Sequence, residues 1–221
     1  MNRATQRTRM ICLIGIDGSG KTTHAQKILL RLRKCGKKCK YVWFGTPYFF
    51  SYPFMALCRV LSLTEVHHLL DEVTSSEHKY YKNKPIALIW PWVQFLDLAI
   101  FVILKIYMPL WHGFIVVCDR FIYDVLVALM VDIGDERLHK KLVGLLMLKL
   151  EPNLNVVFLL DANETVAFRR KHDLSNLNYL IRRRRNYHLI ANQLHIPIVN
   201  AELPFSLVHK ELIKQLNCAC R

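Results

Sequence analysis

Acidic residues are scarce in this chain. Seventeen Asp and Glu stand against thirty-one Lys and Arg, a formal net charge of +14 over 221 residues. That shortage disfavours cationic partners and favours anionic ones: nucleotide phosphates, nucleic acid or an acidic membrane face. Internal repeats and low-complexity linkers are also lacking, and 52% of the residues are hydrophobic, so the composition is that of one folded domain over 1–221. The seven cysteines make no zinc pattern: Cys35 and Cys39 lie four apart with no second pair at ligand spacing. An odd number without a framework fits a reducing compartment, and a cytoplasmic location is the expectation. Cys218-Ala219-Cys220-Arg221 resembles a prenylation signal in shape, but it ends on Arg and lacks the aliphatic pair. Neither a helix-turn-helix nor a basic face interleaved with aromatics is evident, so nucleic acid is not the expected partner.

Two apolar segments bear on membranes. Met10–Ile14 follows Arg3, Arg7 and Arg9 but is too short for a signal and runs straight into Gly15, so it reads as a first strand. Residues 86–104 are long enough to span a bilayer, yet Gln94 and Asp97 interrupt them and Lys105 follows. An Asp at mid-helix costs about 2.5–3.5 kcal/mol on insertion. A long helix covering one sheet face accounts for the same residues, and no membrane span is expected.

The pattern along the chain alternates strands with helices. Ala25, Ile28, Leu29 and Leu32 recur at helical spacing, with Gly36 as a stop. Strands are expected over 41–44, 114–118, 155–160 and 196–199, and helices over 121–131, 136–148 and most of 164–194. Residues 49–81 read as helical and surface-facing. Such alternation implies βαβ units, hence a parallel sheet with helices on both faces.

Within that frame, Gly15-Ile16-Asp17-Gly18-Ser19-Gly20-Lys21-Thr22 fits G-x-x-x-x-G-K-[ST] between an apolar strand and an amphipathic helix. Glycines let the backbone turn its N–H groups onto a phosphate at the positive end of the following helix. Lys21 adds a mobile charge for the β and γ oxygens, and the Thr22 hydroxyl can ligate Mg²⁺. The expected nucleotide site is Gly15 to Thr23, and the expected donor is ATP-Mg²⁺. Asp119 closes an apolar strand run and can hold Mg²⁺ with Thr22, while Arg120 can clamp an acceptor phosphate through two N–H groups. An alternative is that Asp119 and Arg120 form a structural pair. Tyr123 and Asp124 either read the acceptor or pack the start of the next helix. Arg169, Arg170, Lys171 and the run Arg182 to Arg185 suggest a basic lid over about 169–185 that brings cations to the migrating phosphoryl group. Arg169 and Arg170 are the candidate catalytic arginines of that lid, beside Lys21 and Arg120.

These residues resemble the thymidylate kinases and the wider nucleoside monophosphate kinase group. The resemblance rests on Gly15 to Thr23, Val116-Val117-Cys118-Asp119-Arg120-Phe121, Glu151 to Asp161, Ala167-Phe168-Arg169-Arg170 and Arg185-Asn186-Tyr187, and it spans Met10 to about Leu216. It implies a P-loop three-layer α/β/α fold with five parallel strands, ATP as donor and a nucleoside 5′-monophosphate as acceptor, dTMP foremost. It also implies that Asp17 approaches the acceptor or the metal and that the lid closes over ATP. Gly18 stands where one subgroup carries a loop arginine, so the lid-arginine type is the better match. The family often dimerises, which makes a homodimer an expectation. Departures lie on the acceptor side: Phe44-Gly45-Thr46-Pro47 has no Arg or Glu, Asp97 is followed by Leu98, and Val125 and Ala128 replace polar contacts. Two further readings follow, a kinase of another small phosphorylated acceptor and a P-loop regulatory protein that uses ATP as a switch.

Overall fold

The computed structural model describes residues 9–45, 49–60, 84–153, 155–170 and 177–219. Thr46 and Pro47, all of 61–81 from the expected helical stretch 49–81, and residues 171–176 of the expected lid lie outside them. The architecture is α/β: five parallel strands in the order β2-β3-β1-β4-β5, with helices on both sides. The strands are β1 (Met10–Ile14), β2 (Cys39–Trp43), β3 (Ile115–Asp119), β4 (Asn155–Asp161) and β5 (Ile198–Asn200). Strand β1 is buried at every position, as a strand covered on both faces must be, which is why its sequence is continuously apolar. It pairs with β3 from Met10–Val116 to Leu13–Asp119, and on its other side with β4 from Met10–Asn155 to Ile14–Leu159.

Helix α1 (Lys21–Lys34) leads from β1 to β2 and stops at Cys35, with Gly36 in the left-handed conformation. Helix α9 (Phe205–Ala219) lies beside it, the ring of His24 stacking on Phe205 at 4.4 Å. The C-terminal helix went unassigned in the sequence pattern. The opposite face carries α5 (Ile122–Ile133), α6 (Leu142–Lys149) after a short 3₁₀ turn, and α8 (Leu177–Leu194), with α7 (Glu164–Arg170) leading into α8. Helix α5 ends at Gly134, whose positive φ of 73° closes the C-terminus.

The apolar segment forms helix α3 (Lys84–Val102), a π turn (Ile103–Tyr107) and α4 (Met108–Trp111), running without a break. By length and composition Pro85–Trp111 is long enough to cross a bilayer, and 39% of its apolar window is buried. One side packs into the core through Ile86, Trp90, Leu98, Val102 and Ile106. Asp97 is wholly buried and serves a structural purpose. Its carboxylate accepts the Phe50 N–H at 2.6 Å and the Ser51 N–H and Oγ at 3.0 and 2.6 Å, at the start of helix α2 (Ser51–Val60). A carboxylate at a helix N-terminus meets both the free amides and the positive dipole end. Gln94 joins it by donating to Ser51 Oγ.

Candidate functional site

The connection leaving β1 turns toward the β2 edge and that leaving β3 turns toward the β5 edge. A crevice therefore opens between their carboxyl ends, where open α/β sheets place their ligands. The glycine loop 15–20 comes off β1 there, and Asp119-Arg120 comes off β3. Strand register holds the two together: the Arg120 N–H donates to the Leu13 carbonyl at 3.0 Å.

Two glycines of the loop are required by close approach. A Cβ on Gly15 would meet the Leu160 carbonyl oxygen at 2.5 Å, and one on Gly18 would meet the Ala167 carbonyl oxygen at 2.3 Å. Gly20, at φ 85°, precedes α1, which starts with no side-chain cap and no acidic residue in its first turn. Its first amides are thus open to an anion, with the helix dipole behind them.

Lys21 is buried at 4% exposure. Its ammonium donates to the Ile16 carbonyl at 2.6 Å and touches Ser19 Oγ at 3.5 Å. Burial first, and then the nearby Arg120, pull its pKa from 10.5 down to about 8. Thr22 Oγ1 donates to Asp119 Oδ2 at 2.5 Å, and the Tyr41 hydroxyl donates to the same oxygen at 2.9 Å. Asp119 Oδ1 is buried and carries no hydrogen bond. An orphaned carboxylate oxygen beside a threonine hydroxyl is a fit for Mg²⁺, which takes one or two carboxylates and fills its remaining positions with water and phosphate oxygens. Among the described residues no three His, Cys, Asp or Glu side chains converge as an all-protein metal cage would need.

Arg120 sits at φ 69°, a left-handed conformation uncommon for a residue with a side chain. Backbone of this kind collects at functional sites. Its guanidinium pairs with Asp17, and Arg183 from α8 reaches the other oxygen of the same carboxylate at 3.4 Å. Arg183 is 7% exposed and lies between two aromatic faces, Tyr179 at 5.7 Å and Tyr187 at 5.8 Å. It also donates to the Tyr187 hydroxyl at 3.2 Å. That hydroxyl donates to Asp124 at 2.6 Å, whose other oxygen accepts the Phe121 N–H at 2.9 Å. Burial raises the Asp124 pKa, with Arg120 and Lys21 pulling against it.

The structure therefore brings together Asp17, Lys21, Thr22, Asp119 and Arg120, as the sequence pattern placed them, with Ile16, Ser19 and Thr23 in the same loop and first turn. Four other candidates have their side chains engaged elsewhere or exposed. Tyr123 points away from the crevice: it is buried, and its hydroxyl donates to Glu151, which Asn155 also contacts at the amino end of β4. Asp124 caps helix α5 and fixes Tyr187, so its carboxylate is already taken up inside the protein. Arg169 is exposed, and Arg170 is exposed with its guanidinium on the Ala201 carbonyl at 2.9 Å. From the basic stretch, the arginine that reaches Asp17 at the crevice is Arg183. Its neighbours diverge, Arg184 to Asp161 at 2.7 Å and Arg185 to Glu136 at 3.4 Å. The four-arginine run hid this. The signal was Tyr179, Arg183 and Tyr187 at i, i+4 and i+8, one helix face with aromatics flanking a cation.

No family model and no curated protein matches this chain.

Proposed function

We propose that the protein is a P-loop kinase that transfers the γ-phosphoryl group of ATP to a nucleoside 5′-monophosphate, in the manner of thymidylate kinases. One observation carries the reading. Lys21, Arg120 and Arg183 converge on the mouth of one crevice, beside the Thr22–Asp119 pair and the open N-terminus of α1. Phosphoryl transfer asks the protein chiefly for positioning and for cations around the transferred group, and three buried or half-buried cations answer that need.

The loop amides and Lys21 hold the β and γ phosphates of the donor. Lys21 leaves the Ile16 carbonyl to do so, since that bond occupies its ammonium when no phosphate is present. Thr22 and Asp119 hold Mg²⁺, which supplies charge neutralisation on the donor phosphates. Arg120 and Arg183 form a two-pronged clamp. The carboxylate of Asp17 satisfies both guanidinium groups in the free protein, and the acceptor phosphate replaces it or joins it. Tyr179 and Tyr187 keep Arg183 pre-aimed, which lowers the entropy lost on binding.

Coupled measurement of ADP release, with Mg²⁺ and a panel of ribo- and deoxynucleoside monophosphates, tests this. Selective turnover is expected, with dTMP the first candidate, and a fall of about 10²–10³ in kcat when Arg183 is replaced by Ala. Turnover that no monophosphate stimulates, or that survives Lys21→Ala unchanged, would refute the proposal.

A further inference from the structure

The long apolar helix has a second face that the sheet does not use. Leu88 is 73% exposed, Trp92 40%, Leu96 50%, Ile103 48% and Trp111 72%. At about 100° per residue, Leu88, Trp92, Leu96 and Ile103 fall within roughly 80° of arc. A regular helix would then carry Trp111 off that stripe. The π turn at Ile103–Tyr107 takes up about one extra residue and brings Trp111 back over Trp92. The stripe thus stays aligned from Leu88 to Trp111, with a tryptophan near each end. Helix α6 packs beside α3 and adds Leu142 and Leu145, 64% and 44% exposed.

Basic residues outnumber acidic ones around this face. In residues 84–113 and 138–150 the sole carboxylate is Asp97, and it is buried beneath Ser51. Lys105, Lys140, Lys141 and Lys149 are exposed in the same stretches. Lys141 is paired with Asp135 at 2.6 Å, so the basic rim rests on Lys105, Lys140 and Lys149. A second copy of the chain would set this lysine rim against its own image, on a protein already at +14. An anionic lipid surface meets both halves of the pattern, lysines to headgroups and Leu and Trp to the acyl boundary. A transmembrane span does not, because Ile86, Trp90, Leu98 and Val102 are committed to the core and Asp97 and Gln94 to α2.

We propose that the outward stripe of α3 and α4, with the adjoining face of α6, docks on an anionic membrane surface, the helix lying in the headgroup plane. The full chain would be sedimented with vesicles of phosphatidylcholine alone and of phosphatidylcholine mixed with phosphatidylserine. Binding to the mixed vesicles is expected, weakening as salt is raised, with a blue shift of tryptophan emission. Leu88→Glu with Leu96→Glu should lower vesicle binding more than about ten-fold, and Lys105→Glu or Lys149→Glu about five-fold each. All of these variants should keep the wild-type far-ultraviolet circular dichroism and turnover, since none touches the crevice. Absence of binding to mixed vesicles, or equal binding by the Leu88→Glu, Leu96→Glu variant, overturns the proposal. So does retention on the vesicles after an alkaline carbonate wash, which would mean a span. A wild-type dimer in sedimentation equilibrium that Leu88→Glu splits would assign the face to a second copy and overturn it too.

Discussion

Replacing Lys21 with Met should abolish turnover and make the free protein more stable. In the free structure the ammonium is buried and stands near Arg120, and its pKa falls from 10.5 to about 8. That depression corresponds to about 3 kcal/mol held against the charged form at neutral pH. Removing the ammonium also removes its bond to the Ile16 carbonyl, which keeps the Ser19 N–H at 3.2 Å, and the loss of that one charge-assisted bond costs about 1–2 kcal/mol. Met fills a similar volume, so the net gain is about 1–2 kcal/mol. For a chain of this size each kcal/mol moves Tm by about 2–4 °C, so the variant should melt about 2–8 °C above wild type at pH 7. The pH dependence fixes the cause. Below pH 8 both the folded and unfolded lysine are protonated, and the full penalty is present. Between about pH 8 and 10.5 the unfolded chain binds more protons than the folded one, so wild-type stability rises and the gap to the variant closes. Thermal melts of both proteins at pH 7 and at pH 10, without nucleotide, give the answer. A variant that melts below wild type at pH 7, or a gap that does not shrink by pH 10, would refute the reasoning.

Asp119→Asn should remove the Mg²⁺ dependence of turnover along with about 10²–10³ of the rate, read by titrating Mg²⁺ against ADP release. Asp17→Ala leaves Arg120 and Arg183 facing each other without a carboxylate, and the melt should fall by the equivalent of about 2–4 kcal/mol. Inorganic phosphate should restore part of that loss, and no recovery would count against the clamp. Arg169→Ala should leave kcat within about two-fold of wild type while Arg183→Ala does not, a contrast that steady-state kinetics settles. Tyr123→Phe should keep nucleotide kinetics intact and lower stability by about 1 kcal/mol through its lost bond to Glu151.

What was legible in the sequence is what local chemistry determines. The glycine loop reads directly because its residue types are demanded by backbone conformation over a few consecutive positions. Strands β1, β3 and β4 read because each is apolar over most of its length and ends at a polar turn, and Asp119 stands at such an end. What escaped depends on partners far away in sequence. Asp97 could not be seen as the cap of α2, because the amides it serves lie 46 and 47 residues earlier. Tyr123 and Asp124 look alike as polar residues beside a cleft, yet helix phase turns one toward Glu151 and the other toward Tyr187. Arg183 stands among three other arginines, and only the neighbours brought by α7, α5 and the loop distinguish it. The acceptor side stays the least legible for the same reason: its specificity rests on shape assembled from several elements.

The π turn in the long helix makes chain length itself a tuned quantity. Deleting one residue within Ile103–Tyr107 would let the segment relax to an ordinary helix with no hydrogen bond lost. Everything that follows would keep its phase, because the turn is what absorbs the extra residue, whereas an insertion that the turn does not absorb would rotate the downstream face by about 100°. Such an insertion would turn Leu110, now buried, outward just before β3 begins. One deletion within the turn should therefore be tolerated far better than an insertion anywhere along the helix, so that the irregular stretch is slack in one direction only.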